Sequence, residues 1–325
     1  MDFVKLIKKR LTFGTVLNDR AFHISFGISK DYVAQVGVLM TSIAIANTPI
    51  VLFFHIFCNG LEEQDLQKLD KLAKIYGNIA ITVYYVDEDE LSRIKTSLRY
   101  PVAIFYRLIS AVVLYREVER LLYLDSDMVC IGSLEELRTL ELDDICLAVR
   151  DSGEWIPEHK AELGLPQEHR YFNSGVLYMN LHKWNEEHIS EQAVDLLTTN
   201  SFSFPDQDAL NILLKNRHGE LPEKYNFFQS KCTAREMLNN TILLHYSGDI
   251  KPWHPWCKYG SKKIWYDYLS KSPWCDYSYS PRTYQENRLM GRVLRRQGKY
   301  VDALSWYWKY VTDKIKTKTR GISVN

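Results

Sequence analysis

Three pairs of aspartates are each separated by one residue, and such pairs can bind a divalent cation. The pairs are Asp87 and Asp89, Asp125 and Asp127, and Asp206 and Asp208. Alternate residues of an extended chain face the same side, so two carboxylates can share one hard cation such as Mg²⁺ or Mn²⁺. The spacing is a weak signal in a chain that contains it three times. Only the residues around each pair can indicate which pair binds a metal.

The middle pair, Asp125 and Asp127, directly follows the apolar run 121–124, which is typical of a buried strand. Ligands of open α/β sheets bind outside the carboxyl ends of the strands, which favours this pair as a metal site. An aspartate-rich turn that closes the strand is the alternative. The first pair lies in the acidic run 87–90, which predicts a solvated turn or helix start. The third follows Pro205 at a predicted helix start, where aspartate is a common cap.

A histidine, a glycine turn and a lysine follow one another near residue 250. His245 comes after the apolar run 241–244, and Gly248 and Lys251 lie just beyond it. The backbone of such a turn and the ammonium group of Lys251 can bind an anion, and His245 can ligate a metal. A hydrogen-bonded structural histidine is the alternative. The combination indicates a diphosphate, and the sequence contains no P-loop, dinucleotide-binding, nucleophile-elbow or zinc-protease motif.

The segments around these residues predict an α/β fold. Strands are predicted over 21–27, 50–58, 79–86 and 121–124, and helices over 32–46, 61–76 and 101–115. This alternation predicts a mainly parallel sheet that is covered on both faces. The later pattern is mixed, with strands at 145–149 and 175–181 and helices at 190–198 and 206–215. We predict an N-terminal extension over 1–20, a catalytic domain over 21–260 and an appendage over 261–325.

With 325 residues and 46% hydrophobic content, the chain can bury a large core, either as one large domain or as a domain with an appendage. The six cysteines show no paired C-x-x-C spacing, and the first ten residues lack the apolar core of a secretory signal. We therefore expect a reduced, cytoplasmic protein. The longest apolar stretch, 43–57, is interrupted by polar residues and falls short of the roughly 20 residues of a membrane span.

The net charge of +1 conceals a basic C-terminus. Residues 282–325 carry 11 lysines and arginines against 3 acidic residues, with four aromatic residues between positions 306 and 310. Two helices, 284–297 and 300–314, are predicted to meet at Gly298. An anionic lipid surface suits this segment, since each basic residue near the headgroups contributes on the order of 1 kcal/mol. Nucleic acid would suit the charge equally well, and a solvated helix face is a third interpretation.

Taken in order, the motifs resemble family 8 of the retaining glycosyltransferases, especially bacterial lipopolysaccharide core glucosyl- and galactosyltransferases. The matching segments are FHISFGISKDY (22–32), YRL (106–108), RLLYLDSD (120–127), YFNSGVLYMN (171–180), DQDALN (206–211) and HYSGDIKPWH (245–254). They extend over about residues 20 to 275. The resemblance implies the GT-A fold, a Rossmann-like domain that binds nucleotide sugars.

The resemblance also implies roles for individual residues. Asp125, Asp127 and His245 would hold Mn²⁺ (or Mg²⁺) against the diphosphate of a UDP-sugar, with Gly248 and Lys251 on the phosphates. The other donor-binding residues that it implies are Gly27, Ile28, Ser29, Asp31, Tyr32, Arg107, Ser126, Asn173, Ser174, Asp206 and Gln207. Among them Tyr32 would stack on uracil. Ser29 stands where relatives commonly carry aspartate, and its hydroxyl can still hydrogen-bond uracil.

The catalytic residues that the resemblance implies are Asn173, Asp206 and Gln207. Retention requires either a covalent intermediate or attack on the face that the leaving group departs from. Gln207, which the family places below the sugar, is a poor nucleophile. We therefore favour same-face attack, in which the departing phosphate oxygen accepts the proton of the acceptor hydroxyl, and Gln207 and Asp206 orient the sugar.

The resemblance implies a lipid-linked lipopolysaccharide core as acceptor, at the cytoplasmic face of the inner membrane, and no nucleic acid is expected. Glucose and galactose both stay open as donor sugars, and another surface glycan or a protein-linked glycan is the alternative acceptor. Acceptor choice is predicted to lie in segments 92–102 and 152–170. A metal-dependent phosphohydrolase and a noncatalytic glycan-binding protein are the more distant alternatives.

Overall fold

The structure is a computed structural model that describes residues 1–15, 21–48, 50–94, 100–231 and 239–319. Parts of the sequence-based predictions lie outside these residues: the end of the N-terminal extension (16–20), part of the acceptor segment (95–99), one of the six cysteines (Cys232) and the end of the basic C-terminus (320–325). The strands, in chain order, are β1 Ile7–Phe13, β2 Phe22–Ile28, β3 Leu52–Cys58, β4 Ile79–Val86, β5 Arg120–Leu124, β6 Met128–Cys130, β7 Cys146–Arg150, β8 Phe172–Asn180, β9 His218–Leu221, β10 Phe227–Phe228 and β11 Leu243–His245.

The α-helices among the described residues pack on the sheets, and the last of them form the C-terminal part of the chain. They are α1 Val33–Ala46, α2 Glu63–Ile75, α3 Tyr106–Val113, α4 Glu135–Thr139, α5 Ile156–Glu162, α6 Leu181–Glu186, α7 Ile189–Thr199, α8 Pro205–Leu213, α9 Lys262–Lys271, α10 Tyr284–Arg296 and α11 Tyr300–Thr319. Not one of these helices combines the length and the apolar character that a membrane span requires.

In the described part of the chain, an eight-stranded sheet has the order β1-β4-β3-β2-β5-β8-β7-β9. Four of its seven strand pairs are parallel and three are antiparallel. The parallel pairs include the run β4-β3-β2-β5, because α1, α2 and α3 return the chain to the same edge of the sheet each time. The predicted α/β fold with a mainly parallel sheet is therefore confirmed.

The segment 1–20, predicted to be an extension, contributes β1 to this sheet as an edge strand antiparallel to β4. The sequence pattern did not indicate a strand, because three consecutive basic residues, Lys8, Lys9 and Arg10, interrupt any apolar alternation. Basic side chains are tolerated at a sheet edge, where they discourage pairing with other chains. Arg10 forms an ion pair of 3.1 Å with Glu117. The domain boundaries at residues 20 and 260 stay predictions.

The helix α1 is almost entirely buried between the large sheet and the elements that follow residue 260. Its Gly37 permits this packing, since a β-carbon there would lie 2.3 Å from ring atoms of Trp274. Trp274 is itself buried and donates a hydrogen bond of 3.2 Å from Nε1 to Asp65 on α2. The segment after α9 is thus anchored to the central layers of the fold.

The C-terminal helices α10 and α11 form a hairpin. Their junction is Gly298, whose φ of +77° is a conformation that favours glycine. A capping box between Thr283 and Glu286 begins α10. Asn287 on α10 donates a hydrogen bond of 3.0 Å to Asp313 on α11. The two helices were expected from the sequence, and α11 continues five residues beyond its predicted end.

Candidate active site

The predicted metal ligands come together where the chain passes from the large sheet to a second, three-stranded sheet. Asp125 and Asp127 lie between β5 and β6, and β6 pairs antiparallel with β11, which ends at His245. The backbone N–H of Tyr246 donates to the carbonyl oxygen of Asp127 at 2.9 Å. This pairing places the His245 ring beside the Asp127 carboxylate, with Nε2 3.2 Å from Oδ1.

One ligand atom from each of Asp125, Asp127 and His245 lies within 4.8 Å of the others. Among the described residues it is the one group of three such side chains with this spacing. Two carboxylates and one imidazole form a mixed oxygen and nitrogen set that suits a divalent cation such as Mn²⁺. The residues therefore fit the metal that the sequence predicts.

Two residues that the sequence did not single out shape this cluster. Asn226 accepts a hydrogen bond of 2.8 Å on Oδ1 from His245 Nδ1 and donates one of 2.8 Å to Asn173. Gly175 lies on the other side, where a β-carbon would be 2.8 Å from both Asp125 Oδ2 and His245 Cε1. Only glycine leaves that space free for the ligands and a cation.

Lys251 reaches into the cluster from the following loop. Its ammonium group donates to the Asp127 carboxylate and, at 2.9 Å, to the carbonyl oxygen of Tyr246. Gly248 lets the loop turn, with a φ of +87°. Burial alone would raise the pKa of Asp127, but Lys251 and His245 more than offset it and hold that pKa well below its usual range. Asp127 is therefore an anion at neutral pH.

Arg107, on α3, connects the metal cluster to the first turn of α8. The buried guanidinium donates to Asp125 at 2.9 Å through Nη2 and forms an ion pair of 3.1 Å with Asp206 through Nε. It also donates to the carbonyl oxygen of Ser174 and lies 4.5 Å from the centre of the Tyr123 ring. Burial opposes its charge, but the neighbouring carboxylates keep the pKa of Arg107 above its usual value.

The Gln207 amide is fixed by hydrogen bonds at both ends. Its Oε1 accepts bonds from Asn173 Nδ2 at 2.8 Å and from the backbone N–H of Ser174 at 3.1 Å. Its Nε2 donates to the hydroxyl of Tyr171 at 3.1 Å. The neighbouring Asp206 accepts a bond of 2.8 Å from the Ser174 hydroxyl. One side of α8 therefore presents a rigid polar group toward the cluster.

Neither of the other two aspartate pairs places both of its carboxylates in this cluster. Asp206 and Asp208 point to different sides of α8, as residues two apart in a helix do. Asp208 is fully buried and accepts hydrogen bonds from the Tyr171 hydroxyl and, at 2.9 Å, from the backbone N–H of Phe204. Asp87 forms an ion pair of 2.8 Å with Lys8 next to the sheet edge, as expected for a solvated turn.

A cleft of about 1120 Å³ contains nearly all of the predicted site residues. Those that line it are Gly27, Ile28, Ser29, Tyr32, Arg107, Asp125, Ser126, Asp127, Asn173, Ser174, Asp206, Gln207, His245, Gly248 and Lys251. Asp31 does not line the cleft and instead pairs with Arg282 at 3.6 Å. Trp155, from the predicted acceptor segment 152–170, also lines the cleft, as do Phe204, Tyr279 and Arg282, to which the sequence assigned no role in this site.

Comparison with protein families agrees with this arrangement. The sequence profile of the family described as Glycosyl transferase family 8 matches residues 23–257, and the profile of its C-terminal region matches residues 259–314. The chain belongs to glycosyltransferase family 8. Members of this family use a nucleotide sugar and a divalent metal, and the Asp-Asp-His cluster of this glycosyltransferase can supply the metal ligands.

Two similar proteins come from enteric bacteria. A lipopolysaccharide 1,2-glucosyltransferase of Escherichia coli is 32% identical over 327 residues, which cover 95% of each chain. A lipopolysaccharide 1,3-galactosyltransferase of Salmonella typhimurium strain LT2 is 30% identical over 309 residues, which cover 90% of this chain and 91% of that protein.

Solved structures establish the fold of this family 8 glycosyltransferase. The galactosyltransferase LgtC, solved in complex with donor and acceptor sugar analogs, has a TM-score of 0.67 at 23% identity, over 80% of this chain and 98% of that chain. The bifunctional glycosyltransferase WbbM also has a TM-score of 0.67, at 18% identity, over 81% of this chain and 52% of that chain. The fold is GT-A, as the resemblance implied.

Proposed function

We propose that this family 8 enzyme transfers glucose or galactose from a UDP-sugar, with Mn²⁺ (or Mg²⁺), to the lipopolysaccharide core and forms an α linkage. The observation that carries the proposal is the cluster of Asp125, Asp127 and His245 next to Lys251, in a cleft of about 1120 Å³. The two similar enzymes both act on lipopolysaccharide, one as a glucosyltransferase and one as a galactosyltransferase. They support the acceptor and leave both donor sugars open.

The cluster suits the diphosphate end of the donor. A cation held there would act as a Lewis acid on the diphosphate oxygens, where negative charge develops as the sugar departs. Lys251 adds a positive charge at the same place, and the turn at Gly248 lines the same cleft, where its backbone N–H groups would be available to phosphate oxygens. Donor binding would move the Lys251 ammonium from the Asp127 carboxylate to a phosphate oxygen.

The polar residues around α8 suit the transferred sugar. Burial raises the pKa of the Asp206 carboxyl group, and Arg107 opposes that rise while its ion pair of 3.1 Å holds the side chain in place. Both accepted hydrogen bonds of Gln207 fall on its amide oxygen, which is the atom that a nucleophilic role would need. The arrangement therefore favours same-face attack, with Asn173, Asp206 and Gln207 orienting the sugar. A sugar adduct trapped on Gln207 or Asp206 would contradict it.

Same-face attack keeps atoms and charge in balance. The bond between the anomeric carbon and the diphosphate oxygen breaks, and the electron pair leaves with the UDP. The acceptor hydroxyl oxygen forms the new bond on the same face. Its proton passes to the departing phosphate oxygen, so no protein base is required.

The nucleoside end of the cleft lies at the carboxyl end of β2. Gly27, Ile28 and Ser29 follow one another there, and Tyr32 begins the turn into α1. The Tyr32 ring is packed edge-on against Trp253, with 6.0 Å between ring centres. This contact supports the proposal that Tyr32 stacks on uracil, because it limits the movement of the ring. Asp31 would act on the nucleoside indirectly, because it lies outside the cleft lining.

A second part of the cleft lining, next to α8, suits an acceptor sugar. Trp155, in the predicted acceptor segment 152–170, is 38% exposed and stacks on Phe204 with 4.7 Å between ring centres. Phe204 precedes α8, so this aromatic surface lies close in the chain to Gln207. Apolar faces of sugar rings pack well on such surfaces, whose rigid rings lose little entropy.

We also propose that α11 binds an anionic membrane surface. Its exposed apolar residues recur at steps of three and four, which places them on one face of the helix. They are Val301, Leu304, Trp308, Val311 and Ile315, with exposures between 43% and 81%. Lys309, Lys316 and Lys318 are exposed on the same helix. An apolar face with flanking lysines is typical of helices that lie in the headgroup region.

Vesicle sedimentation tests the membrane proposal. Replacing Leu304 and Trp308 together by serine should release the protein from vesicles that contain anionic lipid. The matched control is serine at Thr312 and Thr317, on the less exposed part of α11. Equal sedimentation of the Leu304 and Trp308 variant and the wild type would remove the proposal.

A panel of nucleotide sugars tests the enzymatic proposal. Purified enzyme with Mn²⁺ and a truncated core oligosaccharide should form product from UDP-glucose or UDP-galactose, and Asp125→Asn should abolish the product. Metal-dependent phosphate release without any need for the acceptor would indicate a phosphohydrolase instead. Full function of Asp127→Asn would indicate a noncatalytic glycan-binding protein.

A further inference from the structure

A part of the C-terminal region, residues 279–286, forms one wall of the cleft at its nucleoside end. Tyr279, Arg282 and Glu286 line the same cleft as Ser29 and Tyr32. These residues follow the predicted catalytic domain, which ends near residue 260. The donor site therefore includes side chains that the separation into a catalytic domain and an appendage would leave out.

This wall is held in a fixed position against the first helix of the fold. Tyr277 accepts a hydrogen bond of 2.9 Å from Gln35 on α1. Tyr279 packs against His254, with 4.8 Å between ring centres. On the C-terminal side, the backbone N–H of Arg282 donates to Glu286 Oε2 at 2.6 Å. Contacts on both sides therefore fix the backbone at Arg282.

The Arg282 side chain lies next to the Tyr32 ring at the nucleoside end of the cleft. Its guanidinium carbon is 5.5 Å from the centre of the Tyr32 ring and 6.0 Å from that of Tyr279. One terminal nitrogen donates to the carbonyl oxygen of Asp31 at 3.2 Å, and the other is 3.6 Å from the Asp31 carboxylate. Arg282 thus combines a flat cationic face, an aromatic neighbour and an anchoring carboxylate.

We propose that Arg282 is a donor-binding residue that contacts the nucleoside of the bound nucleotide sugar, and this rests on the UDP-sugar function proposed above. A guanidinium group stacks on planar rings and carries N–H donors that match the carbonyl oxygens of a pyrimidine. Asp31 holds the group at the edge of the cleft. Tyr32, the residue before α1, and Arg282, from the C-terminal region, would then each offer the base a flat surface.

The ion pair with Asp31 does not explain Arg282 by itself. The two side chains are 41% and 54% exposed, and an exposed ion pair contributes little to stability. The alternative role for Arg282 is to attach the C-terminal region to the turn between β2 and α1. That role needs only a positive charge at position 282. Binding to the base needs the planar face as well, so lysine at this position separates the two roles.

Titration of the full-length protein with UDP and with UMP, in the presence of Mn²⁺, tests the proposal. Arg282→Ala should raise the Kd of both nucleotides by about tenfold, since it removes a planar surface on which the base can stack. Arg282→Lys should recover little of the loss. Arg295→Ala, which removes an exposed charge from α10 outside the cleft, should bind both nucleotides as the wild type does.

Each contrary result has a distinct meaning. An unchanged Kd in Arg282→Ala, or full recovery in Arg282→Lys, would overturn the nucleoside contact. Weaker binding of UDP with unchanged binding of UMP would place Arg282 on the diphosphate and also overturn it. If the wild type bound neither nucleotide, the proposed UDP-sugar function itself would fail. Thermal unfolding of all three variants checks that they are folded.

Discussion

The imidazole of His245 and the side-chain amide of Asn226 share a hydrogen bond of 2.8 Å between Nδ1 and Oδ1. The amide oxygen can only accept, so Nδ1 carries a proton in this bond. Nε2, which lies 3.2 Å from Asp127 Oδ1, is then the nitrogen that is left to bind a cation in place of its own proton. Asn226 therefore determines which tautomer the candidate metal ligand adopts.

Replacing Asn226 by alanine should weaken Mn²⁺ binding by about 10- to 100-fold, as removal of partners behind metal ligands commonly does. The measurement is a Mn²⁺ titration in which electron paramagnetic resonance detects the free ion. Asn226→Asp keeps an acceptor for Nδ1 and should retain more affinity than the alanine variant. Wild-type affinity in both variants would show that Asn226 does not orient His245.

Gly175→Ala should cost at least about 100-fold in activity while the protein stays folded. The added methyl group would lie 2.8 Å from Asp125 Oδ2 and His245 Cε1, so the ligands would have to move apart. Gly77→Ala is the matched control, because a β-carbon there meets no atom within 4 Å. Comparable rates for the two variants would contradict the importance of this close approach.

Trp155→Ala should raise KM for the glycan acceptor by about tenfold, because the apolar surface it offers is worth about 1–2 kcal/mol. KM for the nucleotide sugar should change much less, since the ring contacts of Trp155 are with His159, Tyr171 and Phe204 and not with the residues assigned to the nucleoside. Trp155→Phe keeps a flat ring on Phe204 and should recover most of the effect. Steady-state kinetics with each substrate varied in turn distinguish these outcomes.

The protein should lose stability as the pH falls below 6.5. Burial lowers the pKa of His23 to about 4 and that of His55 well below 6.5. The two rings are 3.0 Å apart between His23 Nδ1 and His55 Nε2, and His55 Nδ1 is 3.0 Å from the Tyr84 hydroxyl. Both rings are neutral in the folded protein, so between pH 6.5 and about 4 the unfolded chain binds more protons.

Each of these histidines should lower the free energy of unfolding by up to about 1.4 kcal/mol per pH unit in that range. Urea unfolding at pH 7 and pH 5 measures the difference, which should be smaller in His23→Asn than in the wild type. His182→Asn, which changes an exposed histidine, should leave the difference unchanged. An identical pH dependence in His23→Asn and the wild type would disprove the assignment.

Local pattern in the sequence was enough to predict the elements that carry the cluster. The alternation of β2, α1, β3, α2 and β4 follows from apolar runs and helical periodicity, so their positions agree closely with the structure. The choice of Asp125 and Asp127 among three pairs depended on the strand before them. The grouping of their ligand atoms with His245 confirms that these residues can form one site.

Contacts between segments that are distant in the sequence could not be predicted. Asn226 reaches His245 because β10 and β11 pair in parallel over only two residues, too short to give a pattern. Arg282 meets Asp31 across 251 positions of the chain. Gly175 was part of a recognised motif, but its role appears only when the neighbouring side chains are in place. Such contacts leave no periodic signal in one sequence.

The three metal ligands do not belong to the same layer of the protein. Asp125 follows the last residue of β5 in the large sheet, and His245 ends β11 in the small one. A slight rotation of one sheet against the other therefore changes the distances among the ligand atoms. If the cluster binds Mn²⁺ as we propose, the dissociation constant of that ion would report how well the two sheets are aligned. Substitutions far from the cluster could be ranked by that single number, without any sugar substrate.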